Sequence, residues 1–151
     1  MSPHTVNIAG LTISNGYAQF DIAGGILNDH ATLTLSNCAV NGNEGNYGGG
    51  GVYNDGAGGS ATLTIVDSTI NGNSSSGGDV GFGGGIYNYG QNDGATLTII
   101  NSTISGNSAV GSFPFNFGAG GGILSGGTLT ILIAQSLATM LATRAAVSMG
   151  Q

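Results

Sequence analysis

The chain has 151 residues, of which 31 are glycine and only 5% are charged. Scattered glycine favours disorder, but here glycine separates short runs of aliphatic and β-branched residues, as turns separate strands. Seven acidic residues against one base, Arg144, give a formal net charge of −6. Because such a chain cannot neutralise a phosphate backbone or an anionic bilayer, we expect neither nucleic acid binding nor membrane insertion.

The N-terminal segment has neither the basic stretch nor the apolar run of a secretory signal. Residues 6–16 match the second half of a repeat unit, and Leu11 lies in what we interpret as a degenerate copy of a Thr-Leu-Thr element. We therefore expect the chain to begin inside a repeat of a longer protein.

Three short elements recur along residues 1–131. A glycine element of the type Gly-Gly-Ile-Tyr-Asn begins at Gly24, Gly50, Gly84 and Gly121. A Thr-Leu-Thr element is centred on Leu33, Leu63, Leu97 and Leu129. A Ser-Thr-Ile element follows, as at residues 68–70 and 102–104. The spacing varies between copies, which predicts fixed strands joined by loops of variable length.

Side chains alternate within the Thr-Leu-Thr element, so that Leu63 and Ile65 share one face and Thr62 and Thr64 share the other. One copy is too short to bury its apolar face, whereas copies stacked about 4.8 Å apart form a continuous core. The repeat therefore predicts an all-β fold, a right-handed single-stranded parallel β-helix of about four to five coils with three strands per coil.

Asparagine is expected at the coil corners, because it tolerates the left-handed conformation. The aligned sets are Asn28, Asn54 and Asn88; Asn37, Asp67 and Asn101; and Asn43, Asn73 and Asn107. The single cysteine, Cys38, aligns with Ser68 and Ser102. We predict a small buried thiol there and no disulfide.

Insertions fall at two places in the repeat. They precede the glycine element at residues 74–82 and 108–119, and they follow it at residues 55–60 and 89–94. The longest insertion contains Phe113, Phe115 and Phe117. We expect these rings to cover apolar surface rather than to bind a ligand.

The units at residues 83–88 and 101–107 resemble the right-handed β-helix repeats of large bacterial surface and secreted proteins, including polymorphic outer-membrane proteins and autotransporter adhesin passengers. The resemblance covers residues 6–131. It implies an extracellular or cell-surface parent protein with a structural or adhesive role. A glycan or a host surface would be its partner.

Residues 132–151 form a tail without the repeat. Reading the last base of each codon with the first two of the next permits Asp-Ser-Thr-Val-Ser-Gly-Asn-Asn-Ala-Gly-Asn-Glu-Gly-Gly-Gly-Ile-Tyr-Gly, which is a further repeat in register. We therefore expect a frameshift in a longer repeat protein. The tail's own residues predict a short helix over the last coil, with one apolar stripe formed by Ile133, Leu137, Met140, Leu141 and Ala145.

The polar residues suggest no catalytic, metal or cofactor site. The acids are dispersed among corner loops, at Asp21, Asp29, Glu44, Asp55, Asp67, Asp79 and Asp93. Asp29, Asp55 and Asp93 could bind calcium, which needs several oxygen ligands. The simpler interpretation is that they are solvated acidic residues in turns. We predict a protein that is not an enzyme. A polysaccharide-active enzyme fragment stays an alternative, since fold alone does not decide function.

The candidate binding surface is a ladder of outward threonines. Its members are Thr32, Thr34, Thr62, Thr64, Thr96, Thr98, Thr128 and Thr130. Two such ranks on a flat face are similar to the surfaces of ice-binding solenoids, so ice is an alternative ligand. Threonine is also a preferred exposed strand residue, which is the simpler interpretation. Open coil ends make end-to-end self-association a further expectation.

Overall fold

A computed structural model describes residues 4–19, 21–77, 80–91, 94–111 and 117–133. Every regular element in these ranges is a β-strand, and the strand pairings are parallel. The all-β prediction and the parallel stacking of equivalent segments are confirmed. Within these ranges there is no helix that could span a membrane.

Four sheets contain one strand from each repeat. Sheet A has the spatial order β1 (Thr5–Ala9), β5 (Thr32–Ser36), β9 (Ala61–Val66), β14 (Ala95–Ile100) and β19 (Thr128–Leu132). Sheet B consists of β2 (Thr12–Ser14), β6 (Ala39–Asn41), β10 (Thr69–Asn71) and β15 (Thr103–Ser105). Sheet C consists of β3 (Tyr17–Ala18), β7 (Glu44–Gly45), β11 (Ser74–Ser75) and β16 (Ser108–Ala109). Sheet D consists of β4 (Ile26–Asp29), β8 (Val52–Asp55), β13 (Ile86–Tyr89) and β18 (Ile123–Ser125).

The chain visits the sheets in the constant order A, B, C, D and returns to A one strand further along. This arrangement is compatible with a parallel β-solenoid. The prediction of three strands per repeat was wrong, because sheet C adds a fourth. Its strands have two residues each, which is too short for the alternation that marks a strand in a sequence.

A fifth, two-stranded sheet arises from the insertions that precede the glycine element. It pairs β12 (Val80–Phe82) with β17 (Phe117–Ala119). Successive insertions thus follow the same register as the repeats, rather than forming independent loops.

The interpretation of Leu11 was wrong. Val6, not Leu11, lies opposite Leu33, so Thr5-Val6-Asn7-Ile8 is the first copy of the Thr-Leu-Thr element. The Leu11 carbonyl instead accepts a hydrogen bond from the Ala39 N–H at 2.9 Å. The sequence Leu-Thr-Ile matches the letters of the element, but the backbone register places Thr12 and Ile13 in β2 of sheet B, with Leu11 directly before that strand.

The core lies between the sheets and is aliphatic. The buried set is Leu33, Leu35, Cys38, Val40, Val52, Leu63, Ile65, Ile70, Ile86, Leu97 and Ile99. Their inward orientation confirms the predicted division of the Thr-Leu-Thr element into apolar and threonine faces. Burying each such aliphatic side chain stabilises the fold by about 1.5–3 kcal/mol.

Two of the three asparagine sets predicted at left-handed coil corners do not have that backbone, and their side chains point into the stack. In the first, the Asn28 amide donates to Asn54 Oδ1 at 2.6 Å, and the Asn54 amide donates to Asn88 Oδ1 at 2.7 Å. We call this the first amide column. Each amide also donates to a sheet A carbonyl, such as Thr96 O for Asn54, and thereby ties sheet D to sheet A.

The second amide column runs through Asn43, Asn73 and Asn107. The Oδ1 atoms of Asn73 and Asn107 each accept both the side-chain amide and the backbone N–H of the preceding member, at 2.9–3.0 Å. Asn43 Oδ1 accepts the Gly16 N–H at 2.9 Å. The column is one of two reasons for glycine at positions 51 and 85. A Cβ there would lie 2.6 or 2.5 Å from the carbonyl oxygen of Gly85 or Gly122, and 3.0 or 2.9 Å from the Cγ of Asn73 or Asn107. The glycine element therefore leaves room for the amides.

Only the third set has the predicted left-handed backbone. Asn37, Asp67 and Asn101 have φ values of 51°, 48° and 45°, and the Asn101 amide donates to Asp67 at 2.5 Å. These residues turn the chain from sheet A to sheet B. The tail that was predicted to form a helix is residues 132–151. Leu132 instead ends strand β19, Ile133 follows it, and residues 134–151 lie outside the described residues.

Replacing Asn54 with alanine is expected to reduce the free energy of unfolding by about 2–4 kcal/mol, because buried donors and acceptors on both sides lose their partner. Urea denaturation followed by circular dichroism measures this. The matched control is Asn71→Ala, which removes an exposed amide and should change stability by no more than about 0.5 kcal/mol. Equal effects of the two substitutions would contradict a structural role for the column.

Candidate binding faces

The eight predicted threonines lie in two aligned ranks across sheet A. Thr32, Thr62, Thr96 and Thr128 form one rank, and Thr34, Thr64, Thr98 and Thr130 form the other. The threonines of β5, β9 and β14 are half-buried, whereas those of β19 are exposed. Thr5 and Asn7 extend the ranks by one strand. The face thus presents methyl and hydroxyl groups at regular intervals.

A second outward face, on sheet D, is aromatic. Tyr53 and Tyr87 are in register on neighbouring strands, with Leu27 and Leu124 at the equivalent positions to either side. Sequence reasoning missed this face because it treated tyrosine only as part of the glycine element. The sequence does carry a signal for this face. A tyrosine recurs between two inward residues, in Val52-Tyr53-Asn54 and again in Ile86-Tyr87-Asn88, so alternation points both rings outward.

The aromatic rings contact one another. The Tyr53 and Tyr87 centroids are 5.1 Å apart at 68°, and Tyr89 lies 5.4 Å from Tyr87 and 6.1 Å from Tyr53. Phe82, from the inserted strand β12, lies 5.6 Å from Tyr87. Tyr53 is buried, whereas Tyr87, Tyr89 and Phe82 are half-buried. We call Tyr53, Tyr87, Tyr89 and Phe82 the aromatic cluster.

Asp55 borders the aromatic cluster, since it lies opposite Tyr89 on the neighbouring strand. Burial, Asp55 and the adjacent tyrosines all raise the pKa of Tyr53 above its usual value, with burial the largest cause. Burial, Tyr89 and Asp55 raise the pKa of Tyr87. Both hydroxyls therefore remain protonated at neutral pH and can donate hydrogen bonds.

A polar network joins sheet D to the insertion at residues 55–60. His30, with φ of 53°, directs Nε2 to the Ala57 carbonyl at 2.7 Å, and its Nδ1 contacts the Asp29 carboxylate. The Ala57 carbonyl and then Asp29 raise the pKa of His30. Asp55 accepts the Ala57 N–H at 2.9 Å. These contacts hold the insertion in place beside the aromatic cluster.

The described acids do not converge on a catalytic constellation. Asp29 and Asp55 are aligned on neighbouring strands, Asp67 accepts the Asn101 amide, and Glu44 contacts the Ser76 hydroxyl. Lysine and arginine do not occur in the described ranges. Among those residues, no group of three or more His, Cys, Asp or Glu side chains is placed to hold a metal ion. Asp79 and Asp93 lie outside the described residues.

Cys38 is buried, as predicted. Its thiol donates to the Ile8 and Ser36 carbonyls at 3.5 and 3.3 Å, and its backbone N–H donates to Ser68 Oγ at 3.0 Å. Its position in register with Ser68 and Ser102 favours a packing role. Of the three phenylalanines in the longest insertion, Phe117 is exposed on β17, and Phe113 and Phe115 lie outside the described residues.

Comparison of the chain with protein-family models, curated proteins and solved structures gives no match.

Stability is expected to fall as pH rises above about 10, because Tyr53 and Tyr87 lose their protons more readily in the unfolded chain than in the fold. Below that pH both tyrosines are protonated in either state, so their contribution is fully present. Denaturant unfolding at pH values from about 8 to about 11 tests this.

The substitutions Tyr53→Phe and Tyr87→Phe should each lessen the alkaline loss of stability. Tyr17→Phe, which removes the hydroxyl of an exposed ring, serves as the matched control. If the loss of stability at alkaline pH is the same in Tyr53→Phe and Tyr87→Phe as in the native chain, ionisation of these two tyrosines is not its cause.

Proposed function

We propose that this chain is a non-catalytic module of a right-handed parallel β-helix protein of a bacterial surface or secreted type, with a structural and adhesive role. The observation that supports it best is the register that aligns equivalent residues of successive repeats, while the insertions fall at two fixed places in the repeat. Crossovers between parallel strands of one sheet are right-handed in the great majority of proteins, which supports the proposed handedness. The motif resemblance supports an extracellular setting.

The aromatic cluster is the face best suited to adhesion. Half-buried tyrosine rings offer flat apolar surface, and their hydroxyls, with Asp55, offer hydrogen bonds at the edge. One face of many pyranose rings consists of C–H groups, which pack on aromatic rings, while their hydroxyls bond to such polar groups. Because the surrounding charges are acidic, we propose a neutral or amino-containing glycan rather than an anionic one.

Binding of the purified chain to an array of neutral, amino-containing and anionic glycans tests this proposal. We expect binding to the first two classes, and a loss of about tenfold for Tyr87→Ala or Tyr89→Ala, since each removes roughly 1–1.5 kcal/mol of aromatic contact. Tyr17→Ala, on sheet C of the first repeat, is the control and should bind normally. Absence of binding to any glycan, or equal losses in all three variants, would count against the proposed adhesive face.

A second candidate, favoured by the alignment of eight threonines, is binding to ice. The threonines repeat about every 4.8 Å between strands and roughly every 6.6 Å along a strand. A regular array of methyl and hydroxyl groups on a flat face is suited to contacting a regular array of water.

Thermal hysteresis and ice recrystallisation measurements test the second candidate. If it holds, Thr64→Tyr should abolish the activity, because a large ring in the middle of the face prevents flat contact. Thr69→Tyr, which alters a half-buried threonine of sheet B, should retain activity. A native chain without activity at high concentration removes ice as a ligand.

A further inference from the structure

The C-terminal end of the stack is stepped. Within the described ranges, which end at residue 133, sheet A has five strands, whereas sheets B, C and D have four each. Among the residues that the structure describes, β15, β16 and β18, the last strands of those three sheets, therefore have no neighbour on the C-terminal side of the stack. Inward residues at this end are open as well, since Leu129 and Ile131 are 39% and 55% exposed. Their equivalents Leu97 and Ile99 are 0% and 2% exposed.

The positions next to β15, β16 and β18 would be reached by the chain in a definite order. In every earlier repeat a strand of sheet A is followed by strands of sheets B, C and D. A segment continuing directly from β19 would fill the same three positions. The step, by which we mean the positions next to β15, β16 and β18, therefore suits a polypeptide that supplies strands for sheets B, C and D in that order.

A second copy of the chain fits this step less well. Its first described strand, β1, belongs to sheet A. Pairing β1 with β19 would leave the positions of sheets B, C and D empty between the two copies. End-to-end association, which the open strand edges suggest, would therefore leave apolar surface uncovered.

We propose that the step is the seat of a further repeat, and that the coding sequence of residues 132–150 specifies this repeat in the adjacent reading frame. The strand register allows each residue of the shifted reading frame to be compared with the equivalent residue of the earlier repeats. Leu132 lies opposite Ile100, so the first residue of the shifted segment, Asp, falls at the position of Asn101. Asp67 already occupies that left-handed position in the preceding repeat.

The next residues, Ser-Thr-Val-Ser-Gly-Asn, match sheet B and the turn after it. The serine falls with Ser68 and Ser102, and the valine falls with the core residues Val40, Ile70 and Ile104. The glycine falls with Gly72 and Gly106, which have φ values of 63° and 61°. The asparagine continues the second amide column, where its Oδ1 would accept the Asn107 N–H and side-chain amide.

The remainder matches sheets C and D. After that asparagine, the segment Asn-Ala-Gly-Asn-Glu has the same length as residues 44–48, which join Asn43 to the triplet Gly49-Gly50-Gly51. A triplet of glycines and Ile-Tyr then follow, as they do at residues 83–87. The length and the residue types thus agree with a repeat that has no insertion.

The coding strand provides the first test, because it must spell this sequence in the shifted frame. In the second test, residues 133–150 of the full chain are replaced by Asp-Ser-Thr-Val-Ser-Gly-Asn-Asn-Ala-Gly-Asn-Glu-Gly-Gly-Gly-Ile-Tyr-Gly. We expect the melting temperature to rise by about 5 °C or more. Amide exchange in β15, β16 and β18 should slow by about tenfold or more, because these strands gain a neighbour. The control contains the same residues in scrambled order.

A coding strand that does not spell the repeat would overturn the proposal, and so would a replaced chain whose amide exchange in those strands equals that of the scrambled control. The inference rests on the strand order of the proposed β-helix, but not on its adhesive role. Glycan binding and amide exchange are separate readouts, so a failure of one is distinguishable from a failure of the other.

Discussion

Parallel pairing in register between neighbouring repeats is the interaction on which the rest of the structure depends. It places each residue next to its own equivalent, as Leu63 lies next to Leu33 and Leu97. Every inward position thus becomes a column of similar side chains. A side chain is suitable for such a column only if it packs well, or bonds well, against itself.

The amide columns follow from this constraint. Asparagine has both a donor and an acceptor, so one side chain can accept from the preceding repeat and donate to the next without leaving a buried group unpaired. Serine ends such a column well, as Ser125 does by accepting the Asn88 amide at 2.9 Å. Leucine in place of Asn54 would remove the amide that donates to the Ala61 and Thr96 carbonyls and to Asn88 Oδ1, and would leave the Asn28 amide without Asn54 Oδ1. The columns explain why a protein with so few charges still contains buried polar groups.

Because the inward columns are constrained, chemical variety is confined to the outward side. Sheet A presents threonine, whereas sheet D presents tyrosine with acidic residues beside it. The inserted strand β12 adds a phenylalanine close to the tyrosines, as the contact between Phe82 and Tyr87 indicates. A stack of this kind can change its outer faces without disturbing the core, which suits a protein that presents surfaces to a ligand.

The sequence by itself determined the repeat, the all-β class, the inward leucine and isoleucine, the outward threonines and the left-handed turns at Asn37, Asp67 and Asn101. These features are local, since alternation and turn chemistry are visible within a few residues. The tertiary structure alone decided that Asn28 and Asn43 lie inside, that Val6 rather than Leu11 pairs with Leu33, and that sheet C exists. It also decided that Tyr53, Tyr87, Tyr89 and Phe82 meet. The physical reason is that register and contact between repeats depend on backbone hydrogen bonds between residues about thirty positions apart, such as those from the Asn37 N–H to the Val66 carbonyl and from the Ala39 N–H to the Leu11 carbonyl. No short sequence window contains both partners.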